Sequence, residues 1–293
     1  MFWIDKNNKK NRKKGHKIVN QFLQEAWNTE EGKYINCTFD SFKRGRNMER
    51  LLHEEQNGFC CYCMRHLEIG VHTSLEHIIP HHCENDHGKI EIPKINYYKQ
   101  FNEVFKKVEY VHLTRETHKR HIGSPYPHFC AYENLVLSCD GSLFIDEDQN
   151  HNLCSSKLHL CCNEARGSEQ IVPLFFIPNI HQLVEYNDNG EIKLSMNAKQ
   201  YLSHIDFYKT IEMLKLDCDR LSIIRRVWNI IAIARQYGIE QVKSAIYNPD
   251  LREEILAISG VPFDLAKRVN HHLYWKLLSE YYWFYLYYKN KEL

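Results

Sequence analysis

The 293-residue chain has no long hydrophobic run. Its most apolar stretch, Tyr281–Tyr288, is far shorter than the roughly 20 residues of a membrane-spanning helix. Met1–Lys14 is polar and basic and carries no apolar stretch of the kind a secretory signal needs. These absences predict a cytoplasmic protein without a membrane partner. An excess of one charge is also missing: Lys+Arg is 38 and Asp+Glu is 37, a net of +1. There is no helix-turn-helix pattern and no strongly basic face, which a stand-alone, sequence-specific nucleic-acid enzyme would want. No repeat and no low-complexity tract is found.

What is present is enough to fold. Apolar residues make up 43% and charged residues 26%, which excludes a disordered tail. The length suggests about two domains. Charge is distributed unevenly: residues 1–50 hold 12 basic and 6 acidic side chains, a net of +6, so the rest nets −5. A basic segment of that kind fits a partner bearing phosphates or an ordinary solvated arm. There are 11 cysteines and 18 histidines. In a chain expected inside the cell, cysteines serve as core residues, metal ligands or nucleophiles.

Along the chain, residues 5–14 read as a frayed charged arm and His16–Trp27 as an amphipathic helix. A second helix is predicted over Arg46–Gln56, stopped by Asn57-Gly58. Phe59–Ile69 reads as a short hairpin around a cysteine pair, and Tyr132–Ser138 as a strand. The stretches 81–131 and 140–160 read as polar insertions, the first with one helix over Tyr97–Tyr110. Glu185–Met196 alternates around Asn189-Gly190, a hairpin signal. Asp206–Tyr237 and Asp264–Lys289 keep apolar residues at helical spacing.

The chemistry-bearing residues stand in four pieces: Cys60-Cys61-Tyr62-Cys63, Leu75-Glu76-His77-Ile78-Ile79-Pro80, Asn134-Leu135-Val136-Leu137-Ser138-Cys139 and Cys161-Cys162-Asn163-Glu164-Ala165-Arg166-Gly167. The spacing of Cys60 and Cys63 lets two thiolates bind one Zn²⁺ from a tight turn. A second pair would complete a tetrahedral site, with Cys139 and Cys162 as candidates. Four scattered core cysteines are the plain alternative.

In this order the four pieces resemble the signature of the HNH, or ββα-metal, nucleases, over roughly residues 59–167. The lead-in Met48–Leu52 to Gly58-Phe59-Cys60 is similar to the HNH subunits of Septu-type and retron-associated anti-phage systems. The resemblance implies an α+β protein. A basic helical arm (1–58) would precede a zinc-stabilised ββα-metal nuclease domain (59–170, insertions 81–131 and 140–160). A connector with a hairpin (171–204) and an α-helical C-terminal domain (205–293) would follow.

The resemblance also assigns roles. His77 would be the general base. Glu76 and Asn163 would hold a catalytic Mg²⁺ or other divalent cation, and Asn134 would brace the loop that orients His77. Arg166 would meet substrate phosphate or begin a solvated helix face. Cys60, Cys63, Cys139 and Cys162 would hold structural Zn²⁺, the fourth position lying among Cys162, Cys161, His159 and Cys154. The implied partners are nucleic acid (DNA, or RNA such as tRNA) and an ABC/SMC-like ATPase subunit. A retron reverse transcriptase with its own nucleic acid is a further implied partner. A non-catalytic zinc module that only bridges partners would need the cysteines and neither His77 nor Asn163.

Other clusters have a plain reading beside a functional one. His81, His82, Cys83 and His87 suggest a second metal site or a polar loop. His112, His118, His121 and His128 suggest phosphate contacts or a polar face. The all-round apolar Tyr281–Tyr288 suggests base stacking, an internal core or an interface, and the expectation is that it docks a partner.

Overall fold

The charged run before His16 is the first half of a helix. In the computed structural model, which describes residues 1–80, 101–111, 113, 120–121, 123–142, 160–196, 198 and 202–291, helix α1 spans Lys9–Ala26. Asn8 caps it, its side chain accepting from the amides of Lys10 and Asn11. The residues ahead of it are anchored. Met1, Ile4 and Lys6 are buried, and the Ile4 amide donates to the Phe175 carbonyl at 2.7 Å. The Lys6 ammonium meets Glu55 at 2.6 Å and sits 4.2 Å from the centre of the Tyr132 ring. A cap and an anchored lead-in start this helix, and neither has a hydrophobic period, so the arm expected over 5–14 is not there.

Strands β1 (Trp27–Asn28) and β2 (Lys33–Tyr34) form a small antiparallel pair. Helices α2 (Phe39–Arg44) and α3 (Asn47–Glu55) follow, and Asn57 and Gly58, at φ +53° and +76°, end α3 as the sequence predicts. The cysteine turn is closed by a bridge between Phe59 and His66. Strand β3 (Thr73–His77) then runs antiparallel to β6 (Leu135–Cys139), pairing Thr73 with Cys139 and His77 with Leu135.

Between them lie α4 (Asn102–Phe105) and a parallel pair, β4 (Val108–Glu109) with β5 (Tyr126–Pro127). Phe101, Val104, Phe105 and Leu113 are buried, so the described part of this expected polar insertion adds apolar residues to the core. Helix α5 (Cys162–Arg166) follows, then α6 (Ile180–Leu183) and the hairpin β7 (Val184–Tyr186) to β8 (Ile192–Leu194), turning through Gly190 at φ +79°.

The rest is helical: α7 (His204–Met213), α8 (Asp219–Ala234), α9 (Ile239–Ala245), α10 (Pro249–Ile258), α11 (Phe263–Val269), α12 (His272–Glu280) and α13 (Trp283–Lys291). Each long helix expected there is subdivided, the first at residues 214–218, where Lys215 turns left-handed at φ +48°. The chain is a mixed α+β protein, about 50% helical, with small two-stranded sheets. Among the described residues no helix is long and apolar enough to cross a membrane.

The aromatic run near residue 285 is not an exposed docking patch. Tyr281 and Phe284 are fully buried, and Trp283 and Tyr288 nearly so. Trp283 stands edge-on to Phe2 at 5.7 Å and Phe284 edge-on to Tyr186 at 5.0 Å. The Trp228 indole on α8 donates to the Leu278 carbonyl at 3.0 Å. The hairpin, α8 and the first residues of the chain supply the cover that the sequence left open between the chain's own core and a partner. One buried cluster runs from Met1 to Tyr288. Deleting residues 279–293 should therefore give insoluble protein that holds no zinc. Soluble, zinc-loaded truncated chain, judged by gel filtration and metal analysis, would contradict this packing.

Gly15 is where α1 comes closest to its neighbours. A Cβ there would lie 2.5 Å from the Tyr132 ring. Gly15→Ala should lower the melting temperature by the equivalent of about 1–3 kcal/mol through overpacking, although alanine is the better helix former by about 1 kcal/mol. Thermal denaturation followed by circular dichroism reads the sign directly.

Candidate functional site

Four sulfurs from three parts of the chain meet in the core. The Sγ atoms of Cys60, Cys63, Cys139 and Cys162 all lie within 4.8 Å of one another, and all four residues are buried. Cys63 and Cys139 are 3.7 Å apart, and Cys60 and Cys162 are 4.0 Å apart. Zn–S bonds of about 2.3 Å in a tetrahedron set S···S edges of about 3.8 Å. The cluster has the donors and spacing to hold a metal ion such as zinc.

Local structure explains how each sulfur arrives. The Cys60 amide donates to the Arg65 carbonyl at 2.8 Å, and Met64 closes the turn at φ +66°. Cys139 ends β6. Cys162 begins α5 at φ +56°, a conformation a residue with a Cβ avoids. Its amide is held by the Leu214 carbonyl at 2.9 Å. Of the other fourth-ligand candidates, Cys161 lies 3.4 Å from Cys162 but outside the four-sulfur group, while Cys154 and His159 lie outside the described residues.

Four buried thiols at this spacing cannot all ionise unaided. Burial raises the Cys63 thiol, but hydrogen bonds from Cys139, Cys161, Cys162 and Cys60 outweigh it and hold Cys63 well below its usual range. Burial and the neighbouring sulfurs push Cys162 well above its own. One thiolate among thiols is the stable arrangement without a cation, and a divalent cation admits the rest.

The C-terminal helices close over this turn. The Tyr281 hydroxyl lies 3.5 Å from Cys63 Sγ, Arg65 Nε donates to Glu280 at 2.6 Å, and the His66 amide donates to the Glu280 carbonyl at 2.7 Å. Sequence reasoning missed these partners, because no local spacing links positions more than 200 residues apart.

Glu76 and His77 end β3, at the end of the sheet away from Cys139. His77 is 6% exposed; its Nε2 lies 3.0 Å from the Phe129 carbonyl, and the Phe39 ring on α2 covers it at 4.3 Å. A carbonyl only accepts, so Nε2 carries a proton. Glu76 is 7% exposed; its Oε1 accepts from the His77 amide at 3.1 Å, and its Oε2 is buried without a hydrogen-bond partner. Burial pushes the Glu76 carboxyl up to about 7, partly offset by the Arg166 guanidinium 4.0 Å away.

Asn134, fully buried, splints the chain just after His77. Its Oδ1 accepts from the Ile79 amide at 2.7 Å, and its Nδ2 donates to the carbonyls of Ile79 and His128. Asn163 is half-buried on α5, and its side chain makes no hydrogen bond among the described residues.

Arg166 does not begin a solvated helix face. It is 2% exposed and clamps the carbonyls of His77 at 2.8 Å, Ile78 at 2.7 Å and Glu169 at 2.7 Å, with the Tyr62 hydroxyl at 3.2 Å. The sequence placed it correctly on the helix, but helix position alone does not show that three carbonyls surround it.

The remaining histidine expectations divide. His81, His82, Cys83, His87, His112 and His118 lie outside the described residues. His128 is buried, stacked on Tyr110 at 4.0 Å, and not on a polar face. His121 donates its amide to the Tyr34 hydroxyl at 2.7 Å.

No family model, curated protein or solved structure matches this chain.

Metal analysis should find about one zinc per chain. Cys162→Ser should lose it together with solubility, whereas Cys161→Ser should keep both. Equal zinc loss in the two variants would move the fourth position to Cys161.

Proposed function

We propose that this chain is an HNH-type, metal-dependent endonuclease that hydrolyses phosphodiester bonds of nucleic acid. The observation that carries the reading is the placement of His77, Asn134 and Asn163. They sit at the end of one strand, before its antiparallel partner, and on the helix that follows. Arg166 on that helix holds the carbonyls of His77 and Ile78, and the four-sulfur cluster joins the start of the helix to the other end of the sheet, where Cys139 faces Thr73. A zinc module that only bridges partners would have no use for a buried histidine held by a carbonyl next to a carboxylate with one buried, unpartnered oxygen.

The donor set fits a second, hard cation. The Glu76 Oε2 is buried and unpartnered, and the Asn163 amide is uncommitted among the described residues. Mg²⁺ prefers such oxygen ligands, and when bound it supplies charge stabilisation at the scissile phosphate and the leaving oxygen. The protein's own residues do the rest. The Phe129 carbonyl holds the His77 ring through Nε2, and the imidazole is the group that would take a proton from water. Asn134 fixes the backbone that carries the ring. Arg166 holds the carbonyls after β3, so Glu76 keeps its position when it ionises.

Phe39 over His77 and the near-closure of both side chains fit an effector kept shut until engaged. With the resemblance of Met48–Leu52 and Gly58-Phe59-Cys60 to the nuclease subunits of Septu-type and retron-associated systems, the proposal extends to anti-phage defence with an ABC/SMC-like ATPase as partner. Identifying what co-purifies with the tagged full-length chain tests that extension.

His77→Ala should fold, keep its zinc and lose about 10²–10⁴-fold in cleavage rate. Cleavage of plasmid or RNA at the wild-type rate would sink the mechanism. Asn163→Ala should raise the Mg²⁺ concentration needed for half-maximal rate.

Glu76→Gln gives a stability test. The folded carboxyl titrates at about 7, above its usual 4.5, so stability is lost as pH rises from 4.5 to about 7 and the loss is complete above it. Without added Mg²⁺, Glu76→Gln should raise stability at pH 8 by up to roughly 3 kcal/mol and change little at pH 4. No difference between those pH values would remove the unpaired carboxylate from the site.

A further inference from the structure

The exposed face of α1 is built against the rules of helix stability. Between Asp5 and Glu25 there is no acidic residue, while Lys9, Lys10, Arg12, Lys13, Lys14 and Lys17 crowd its first half. Like charges stand four apart at Lys9 and Lys13, Lys10 and Lys14, and Lys13 and Lys17, each pair repelling. They also occupy the end where the helix dipole disfavours cations. Lys14 finds Glu54 at 3.3 Å. Lys9, Arg12, Lys13 and Lys17 pair with no acid among the described residues. Packing does not require them: α1 buries Gly15, Val19 and Leu23 on its other face. A local conflict with no structural return points to a ligand.

These side chains line an open concavity with Gln24 and the edge of Tyr126. The concavity lies one layer from the candidate catalytic residues. His16 on α1 meets Glu133, the neighbour of Asn134, at 2.7 Å. Phe22 packs on Phe42 of α2 at 5.0 Å and on Phe129 at 6.4 Å, and Phe129 is the residue whose carbonyl holds His77. Lys9 to Lys17 spans about 12 Å along the axis, against which a DNA duplex presents about seven phosphate charges.

We infer that the Lys9–Lys17 face of α1 is the groove that seats the phosphate backbone of double-stranded DNA and leads it to the His77 site. This rests on the proposal that nucleic acid is the substrate. A duplex fits better than an unpaired strand, because the groove's two rings are engaged: Tyr126 is 2% exposed and His16 packs on it at 4.8 Å while meeting Glu133, which leaves no open platform for unstacked bases. DNA fits better than duplex RNA, whose readers span successive minor grooves and their 2′-hydroxyls; here one straight helix carries the cations that line the groove.

The test uses the full-length chain and a fluorescein-labelled 30-base-pair DNA duplex, without added Mg²⁺, by anisotropy across a salt series. Lys9→Gln, Arg12→Gln, Lys13→Gln and Lys17→Gln combined should reduce the slope of log K against log salt by about 3 to 4 and weaken binding at least tenfold. Its melting temperature should stay level or rise, since repulsion is removed. The set Lys9→Arg, Lys13→Arg and Lys17→Arg should bind as wild type, which separates charge from side-chain shape. Unchanged affinity and slope in the glutamine variant, or no duplex binding by wild type at 50 mM salt, would overturn the groove. Tighter binding of a single strand or of duplex RNA would overturn the choice of duplex DNA. Plasmid cleavage is read separately: wild-type protein that binds through α1 and cuts no plasmid with added Mg²⁺ would remove the nuclease reading and leave the groove standing.

Discussion

Four sulfurs within 4.8 Å of one another fix the geometry on which the candidate site depends. Cys60 and Cys162 are 102 positions apart in sequence, and their sulfurs are 4.0 Å apart. Cys139 is the last residue of β6, the strand that pairs with the one carrying Glu76 and His77. Cys162 is the first residue of α5, the helix carrying Asn163 and Arg166. Moving one sulfur therefore moves a strand end or a helix start. The left-handed backbone at Cys162 costs on the order of 1–3 kcal/mol and persists because the Leu214 carbonyl and the cluster both hold that residue.

A sheet of two strands is marginal by itself, and here buried side chains take the place of missing strands. The Gln56 amide gives and receives hydrogen bonds at Leu137, as a third strand would. Arg166 accepts the role of edge partner for the carbonyls of His77 and Ile78, and Asn134 does so for both backbone groups of Ile79. Each of these bonds is satisfied only in one register. A slip of one residue would turn Glu76 and His77 to opposite faces and leave several buried polar groups without partners. Polar burial thus specifies which face the candidate base presents.

What could be read from the chain follows from distance in sequence. The Cys60–Cys63 turn, the Asn57-Gly58 stop and the hairpin around Asn189-Gly190 are local patterns, and each appears where its residues predict. The choice of Cys162 was legible because it directly precedes Asn163. Three things were not legible. The charged start of α1 depends on the Asn8 cap and on contacts of Lys6 with Glu55, both invisible to hydrophobic period. The fate of Tyr281–Tyr288 depends on Phe2, Tyr186 and Trp228, which no local rule connects to it. The inward turn of Arg166 depends on carbonyls contributed by residues 77 and 78. Periodicity reports that a face is apolar or charged; it does not report what covers it.

The relation between Glu76 and Arg166 separates a structural site from one prepared for a ligand. A core that needed only stability would bring a buried carboxylate and a buried guanidinium into direct contact, since an unpaired buried charge is strongly disfavoured. Here the guanidinium donates to three carbonyls and the Tyr62 hydroxyl, and its nearest approach to Glu76 is 4.0 Å. It tempers the carboxylate without satisfying it. One oxygen is left buried and open, next to a histidine whose Nε2 is already held by a carbonyl. Removing water from such a pair raises the free energy of the ionised carboxylate, and a divalent cation at that oxygen lowers it again. The proposed cation would therefore both complete the polar core and create the charge that a phosphodiester's transition state requires, so that assembly of the site and its chemistry depend on the same unpaired atom.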